Sequence, residues 1–301
     1  MVALSLTREL DSLNINYKTD FCVKDTSTFH IGGICPLAVF PSTEKQLVDT
    51  LSLLDSKDIS FRVIGRASNT LFFDGTLDSV IVFTAGVCEV SVEQGTVTAG
   101  AGVGLVALSR QVCDAGLSGL EFACGIPASI GGAVFMNAGA HGGSMADVLT
   151  QSRAYDRKSG RVLTLLRESH EFGYRSSIYM KDPSLVCLGA TISLTAADRE
   201  RIRQDMSRFT EARRKSQPTE KYSAGSYFKR PVGDFAGRLI EACGLKGVCV
   251  GDAQVSTKHA GFIINRGSAT FDDVMRLEER VIQEVLLQTG VLLEREVEIV
   301  R

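Results

Sequence analysis

The sequence predicts an α+β protein of more than one domain. Three observations carry that prediction. At 301 residues the chain is longer than one typical hydrophobic core fills. Helical and strand periodicities interleave, yet no G-x-G-x-x-G run follows a strand and opens a helix; Gly100-Ala101-Gly102 supplies only the first part of that fingerprint. The composition also changes near Ala196, where AADRERIRQDMSRFTEARRKSQP begins a strongly charged helical segment.

In chain order, a helix is expected from Glu44 to Ser56. Thr43 and Gln46 offer a capping box there, and Leu47, Val48, Leu51 and Leu54 share one face. FRVIG at 61–65 and SVIVFT at 79–84 read as strands. CEVSVEQGTVTAGAG at 88–102 reads as a hairpin turning near Gln94-Gly95. A helix over 103–115 ends at Gly116. Strands follow at 152–155, 162–165 and 185–194. The charged segment is helical, with Ile202, Met206 and Phe209 on one stripe, and Pro218 stops it. Beyond it come a helix at 235–243, an extended stretch at 261–265, a helix at 271–288 and an extended stretch at 296–300. The main boundary is placed near Ala196.

Composition narrows the function. The net charge is −2, which argues against a nucleic-acid binder, because neutralising phosphates needs a basic face. The amino terminus shows no basic segment, apolar stretch and cleavage site, and no apolar run is long enough to span a membrane. A cytoplasmic protein is expected. The eight cysteines form no C-x-x-C pair and none lies at metal-ligand spacing from a histidine, so they read as reduced thiols, mostly buried, and no metal is expected.

Three glycine-rich loops look built to approach a ligand with bare backbone. They are 28–33, then Gly65, Arg66, Ala67, Ser68, Asn69 and Thr70, then 125–132 with its continuation to Ala140. The third contains Gly125, Ile126, Pro127, Ser129, Gly131 and Gly132, followed by Asn137, Ala138 and Gly139. Amide groups in such loops converge on phosphate oxygens without lysine. Read one at a time, each could equally be a tight turn.

The densest cluster of chemistry is SAGSYFKRP at 223–231, with FGYRSS at 172–177 and LEREVEIV at 293–300 as partners. Together they supply a hydroxyl, a guanidinium and a carboxylate. By residue type alone, Ser226 could be a turn residue, Arg175 an ion-pair partner and Glu296 an exposed edge position. Ser223 and Glu294 are the rival serine and glutamate.

Taken together, these motifs resemble the UDP-N-acetylenolpyruvoylglucosamine reductase family, in the shorter type without an extra tyrosine-bearing loop. The likeness runs from about Thr28 to Val300. It rests on GRASNTLF, GLEFACGIPASIGGAVFMNAGAHGG, FGYRSS, SAGSYFKRP, DFAGRLIEACGLKG, AQVSTKHAGFIIN and LEREV, in the family's order. The resemblance implies a two-subdomain FAD-binding region of the vanillyl-alcohol-oxidase type, at 1–70 and 71–197. A C-terminal α+β substrate-binding domain would follow at 198–301. Residues 65–70 and 125–132 would hold the FAD pyrophosphate, and 137–139 would lie near the flavin. The implied reaction uses NADPH to reduce the flavin, which returns the hydride to the enolpyruvyl ether of UDP-N-acetylglucosamine.

By the same likeness Arg175 and Glu296 stabilise the enolate-like intermediate and Ser226 protonates the neighbouring carbon. A serine is a poor acid near neutrality, so a cationic setting is required. Lys229 and Arg230 are candidates for it, or for binding the substrate diphosphate. Gln254 and His259 are assigned to the substrate, with Lys258 and Asn265 as site support. Two departures bear on the cofactor: Arg66-Ala67 replaces a glycine-bearing pair, and His141 stands where tyrosine is frequent. A monomer is expected. The rivals are another FAD-dependent oxidoreductase of the same cofactor fold, and a non-catalytic sugar-nucleotide-binding protein. Neither needs all three of Ser226, Arg175 and Glu296.

Overall fold

Local sequence accounts for the first long helix. Glu44–Ser56 buries Leu47, Leu51 and Leu54, with Val48 half-buried beside them. Thr43 caps it, accepting from the Gln46 amide at 3.1 Å. The reciprocal half of the capping box does not form. Gln46 Oε1 accepts instead from the Ser42 amide and hydroxyl at 2.9 and 2.7 Å. Its Nε2 donates to the Asn14 carbonyl at 2.7 Å, so the tertiary partner decides where this side chain turns.

The computed structural model describes residues 2–301. It has the α+β character expected, in two units that the chain enters more than once. The first comprises residues 2–20, Leu37–Arg66 and Ser79–Glu211. The second comprises Phe21–Pro36, Ala67–Asp78 and Ala212–Arg301. Among the described residues no helix is long and apolar enough to cross a membrane.

The first unit is organised by two sheets. One orders its strands as Asn16–Cys22, Ile34–Phe40, Val80–Phe83 and Phe61–Ile64. Its Val80–Phe83 strand pairs in parallel with both neighbours. The helix Glu44–Ser56 packs here, and Leu47, Leu51, Leu54, Val39 and Val82 share one core. The other sheet runs Arg161–Leu166, Leu149–Asp156, Leu185–Ser193, Thr96–Gly100 and Val90–Glu93, all antiparallel. Its hairpin turns at Gln94-Gly95, both left-handed with φ of 46° and 86°. That is the backbone a two-residue hairpin with right-handed twist requires. The helices Leu105–Asp114 and Ile130–Phe135 cover this sheet with Leu105, Leu108, Val112, Ile130 and Val134.

In the helix Arg199–Ser216, Ile202 is buried while Met206 and Phe209 are half-buried. The helix stops two residues before Pro218, as that ring demands. The division between the units falls inside it, after Glu211. Composition changes earlier, near Ala196, because the solvated face of the helix begins before its contacts change.

The second unit has a four-stranded antiparallel sheet ordered Tyr222–Ser223, Ile263–Asn265, Ala253–Val255 and Cys249–Val250. The helix Phe271–Thr289 is closed at both ends. Thr270 and Asp273 form a capping box, and Gly290 turns left-handed with φ 73°. Its buried stripe is Phe271, Val274, Leu277, Val281 and Val285. A short parallel pair joins Thr70–Phe72 to Glu298–Val300. The first of these strands has no local signal, since its partner lies at the other end of the chain. The stretch expected to be extended from Glu296 becomes a strand only at Glu298. The reason is that the Glu296 amide leaves the ladder and donates to the Tyr227 carbonyl at 2.9 Å.

Cys35, Cys113, Cys124 and Cys187 are buried, Cys243 and Cys249 half-buried, and Cys22 and Cys88 exposed. Burial pushes the Cys187 thiol up to about 12, as expected of a structural cysteine.

Candidate functional site

The first unit builds a cradle from bare backbone. Residues 101–105 zip onto 128–131 through Leu105 N to Ala128 O, Ile130 N to Val103 O and Gly131 N to Ala101 O, at 2.9, 2.8 and 2.9 Å. Ser129 caps the helix Ile130–Phe135, its hydroxyl accepting from Gly132 N at 3.4 Å. Gly65 lies directly against that hydroxyl: a Cβ there would sit 2.2 Å from Ser129 Oγ. A Cβ at Gly131 would come within 3.0 Å of Ala101. The Arg66 guanidinium covers Gly104, where a Cβ would approach Nη2 to 2.7 Å. Arg66 is therefore accommodated by glycine elsewhere. Two bare turns stacked through a hydroxyl at a helix amino end suit the oxygens of a diphosphate. These residues fit the pyrophosphate of FAD.

Gly65→Ala should loosen this cradle. Overpacking of this kind costs about 1–3 kcal/mol. The FAD-free variant should melt lower, and the FAD-loaded variant should retain less flavin on gel filtration. Gly132→Ala, whose Cβ would meet Ser129 Oγ at an ordinary 3.5 Å, should keep the native melting temperature.

The chain passes from the first unit to the second between Arg66 and Ala67. Ala67 is buried and left-handed, with φ 47°. The backbone thus keeps the conformation glycine would favour, and alanine holds it at a cost of roughly 1–2 kcal/mol. Asn69 is tied to the carboxy-terminal segment within the second unit. Its Nδ2 donates to the Glu296 carbonyl at 3.0 Å, and its own carbonyl accepts from Glu298 N at 2.9 Å.

In the first unit FGYRSS is stitched to the segment 135–139. Asn137, left-handed with φ 46°, donates from Nδ2 to Gly173 O at 2.9 Å and accepts from Ala146 N at 3.0 Å. The Ser177 hydroxyl donates to Phe135 O. Arg175, itself left-handed with φ 49°, donates from Nη2 to Gly139 O at 3.3 Å. Gly173 and Ser176 close the turn with paired backbone bonds of 3.1 and 3.3 Å. The guanidinium predicted to be catalytic is therefore held against the segment expected to lie near a flavin. His141 continues the same loop and stacks flat on Phe209, with centroids 4.3 Å apart.

Behind FGYRSS lies a buried polar relay. A carbonyl can only accept, so His170 donates from Nδ1 to Leu166 O at 2.9 Å. Its Nε2 is then bare and accepts from the Ser152 hydroxyl at 2.7 Å. Tyr179 donates in turn to Ser152 at 2.6 Å. Burial lowers the His170 pKa from its ordinary 6.5 and raises that of Tyr179. The sign for stability follows from His170 binding a proton more weakly folded than unfolded. Its contribution is complete above about pH 6.5 and is lost as pH falls toward the depressed folded value. Denaturant midpoints should be flat near pH 7.5 and drop toward pH 5.5, and His170→Asn should flatten part of that slope.

In the second unit both rival residues are engaged by neighbours. Ser223 is used locally, its hydroxyl accepting from Gly225 N at 3.4 Å and its carbonyl from the Thr28 hydroxyl at 2.8 Å. Glu294 is exposed and pairs with Lys229 at 3.3 Å. Ser226 and Glu296 are half-buried. Their segments run antiparallel through a bridge between Phe228 and Arg295, with Lys229 N donating to Glu294 O at 2.8 Å. Gly225, with φ 81°, makes the bend before Ser226.

The four substrate candidates also lie in this unit. Lys229 is engaged with Glu294, and the Arg230 guanidinium lies 4.5 Å from the Phe235 ring centroid. Gln254 donates from Nε2 to Gly247 O at 3.2 Å. His259 accepts at Nδ1 from Gly261 N at 3.1 Å, and burial lowers its pKa, favouring the neutral ring. Asn265 is a structural tie: it donates to Phe29 O at 3.1 Å and accepts from Gly267 and Ala269 amides at 2.8 and 3.0 Å. Lys258 donates to Arg214 O at 2.7 Å. The tie between Asn69 and Glu296 was not legible in the sequence, because no local pattern pairs positions so far apart.

Known proteins match this arrangement along the chain. Residues 36–166 match the FAD binding domain family, and residues 217–300 match the UDP-N-acetylenolpyruvoylglucosamine reductase, C-terminal domain. The UDP-N-acetylenolpyruvoylglucosamine reductase of Petrotoga mobilis is 42% identical over 99% of both chains. That of Clostridium perfringens strain SM101 is 42% identical over 90% of this chain and 89% of its own. The crystal structure of UDP-N-acetylenolpyruvylglucosamine reductase from Thermus caldophilus superposes with a TM-score of 0.80 at 33% identity, covering 95% of this chain and 99% of that one. By full-length identity, domain match and fold alike, the chain belongs to the UDP-N-acetylenolpyruvoylglucosamine reductase family.

Proposed function

We infer that this protein reduces the enolpyruvyl ether of UDP-N-acetylglucosamine to UDP-N-acetylmuramate, with FAD as cofactor and NADPH as reductant, in peptidoglycan precursor synthesis. It therefore serves cell-wall biogenesis, and through it cell shape and division, as a cytoplasmic monomer. When bound, FAD carries the hydride from NADPH to the substrate. The domain division at residues 70 and 197 belongs to the same reading.

The chain's own residues do the rest. Hydride addition at the terminal methylene carbon leaves negative charge on the neighbouring carbon and its carboxylate. Arg175 offers a planar fork of donors to that carboxylate. Glu296, in its protonated form, adds a donor to the developing anion. Ser226 donates a proton to the carbon beside the carboxylate, and its oxygen is reprotonated from solvent. The observation that supports this reading is the engagement of the rivals: the Ser223 hydroxyl accepts from Gly225 N and Glu294 is an exposed ion-pair partner, while Ser226 and Glu296 lie on segments paired with one another. Lys229 and Arg230 are assigned to the substrate diphosphate, with Gln254 and His259 beside them.

The test is spectroscopic. Purified protein should be yellow, bleach with NADPH and recover its colour with the enolpyruvyl sugar nucleotide. Protein that takes up no FAD, or bleaches without recovery, would refute the reading.

A further inference from the structure

The apolar stripe of the helix Phe271–Thr289 carries one carboxylate, Glu278, only 4% exposed. Burying a carboxylate is costly, and an apolar residue of similar volume often gives equal or better stability. Its partners explain its presence. The Tyr227 hydroxyl donates to Glu278 Oε2 at 2.8 Å. Arg295 donates from Nε to Oε1 and Oε2 at 2.9 and 3.0 Å. Tyr227 directly follows Ser226, and Arg295 directly precedes Glu296.

We propose that Glu278 is a positioning residue: by holding Tyr227 and Arg295 together it fixes Ser226 and Glu296 relative to one another. The inference rests on the functional roles given above for those two residues. Backbone bonds alone tie their segments at a few points, through Phe228 with Arg295, Lys229 with Glu294 and Glu296 with Tyr227. Such a short pairing leaves its twist free. A carboxylate gripping one side chain from each segment removes that freedom, and it is itself anchored by Val274, Leu277 and Val281 on the same helix. Tyr227 is fully buried, and burial together with the Glu278 charge pushes its pKa up, so it remains a donor. Arg295 serves here as a charge-assisted anchor and leaves the Glu278 carboxylate with donors on both oxygens.

The experiment compares both half-reactions of the FAD-loaded protein by stopped flow and melts the FAD-free protein in parallel. Glu278→Gln should leave bleaching by NADPH at its native rate and slow recovery by the enolpyruvyl sugar nucleotide about tenfold to a hundredfold, the scale of a small misplacement. Tyr227→Phe, a milder change, should slow recovery in the same sense with little loss of melting temperature. A triple variant, Glu278→Leu with Tyr227→Phe and Arg295→Leu, tests structure against positioning. Its melting temperature should return to within about 5 °C of native, while recovery stays slow. Recovery at the native rate in the triple variant, or in both Tyr227→Phe and Glu278→Gln, would overturn the positioning role while leaving the enzyme's function intact. A wild-type protein that never recovers its colour would overturn the functional reading, and this inference with it.

Discussion

Ser226→Ala should leave flavin bleaching by NADPH nearly unchanged and slow the recovery by roughly 10²–10⁴-fold, the range expected for loss of a positioned proton donor. The two halves of the cycle ask different things of the protein. Reduction needs a bound cofactor and an approaching hydride donor. Recovery needs a proton delivered to the carbon next to the carboxylate. Ser226 stands behind the Gly225 bend and is half-buried, so removing one oxygen leaves the Tyr227 and Glu296 backbone bonds in place. Ser226→Cys, which keeps a more acidic donor at the same position, should retain more recovery than alanine does. Equal slowing of both halves would remove Ser226 from proton transfer and return it to a turn role.

Arg175→Lys should slow recovery by about 10²–10³-fold although the charge is kept. Lysine offers a point charge, whereas a carboxylate gathering negative charge is matched by a planar fork. The local geometry makes this a demanding test. Arg175 sits in a left-handed turn and binds Gly139 O, so a purely structural arginine would report through that contact. Flavin affinity measured alongside separates the two roles. Loss confined to flavin retention would make Arg175 a strap for residues 137–139. Loss of recovery with full flavin content would assign it to the substrate carboxylate.

Much of this was legible in local sequence. The helix Glu44–Ser56 announces itself through a cap and a stripe, and the Gln94-Gly95 turn through its flanking alternation. The motif loops predict where backbone is bare, and Gly65 against Ser129 fulfils that need at a spacing no side chain could share. Ala67, flagged as a departure from glycine, turned out to occupy a left-handed backbone. The choice of Ser226 over Ser223, and of Glu296 over Glu294, came from motif alignment. The residue types on their own are silent on that point.

Other features depend on partners far away in the chain. Gln46 leaves its capping box to bind the Asn14 carbonyl, 32 residues away, while its oxygen turns to the neighbouring Ser42. Asn69 and Asn137 belong by sequence to the loops expected to hold the cofactor, and the fold also ties their side chains to Glu296, Gly173 and Ala146. Glu278 looks like one more charge on a long helix until Tyr227 and Arg295 are seen to converge on it. By itself the sequence determined the class of fold and, through its motifs taken in order, the family, because those rest on periodicity and short local patterns, and it named the candidates for the chemistry. Tertiary structure alone decided which amides and carboxylates hold the site in shape, because a hydrogen bond is set by ångström distances between atoms that the chain order keeps far apart.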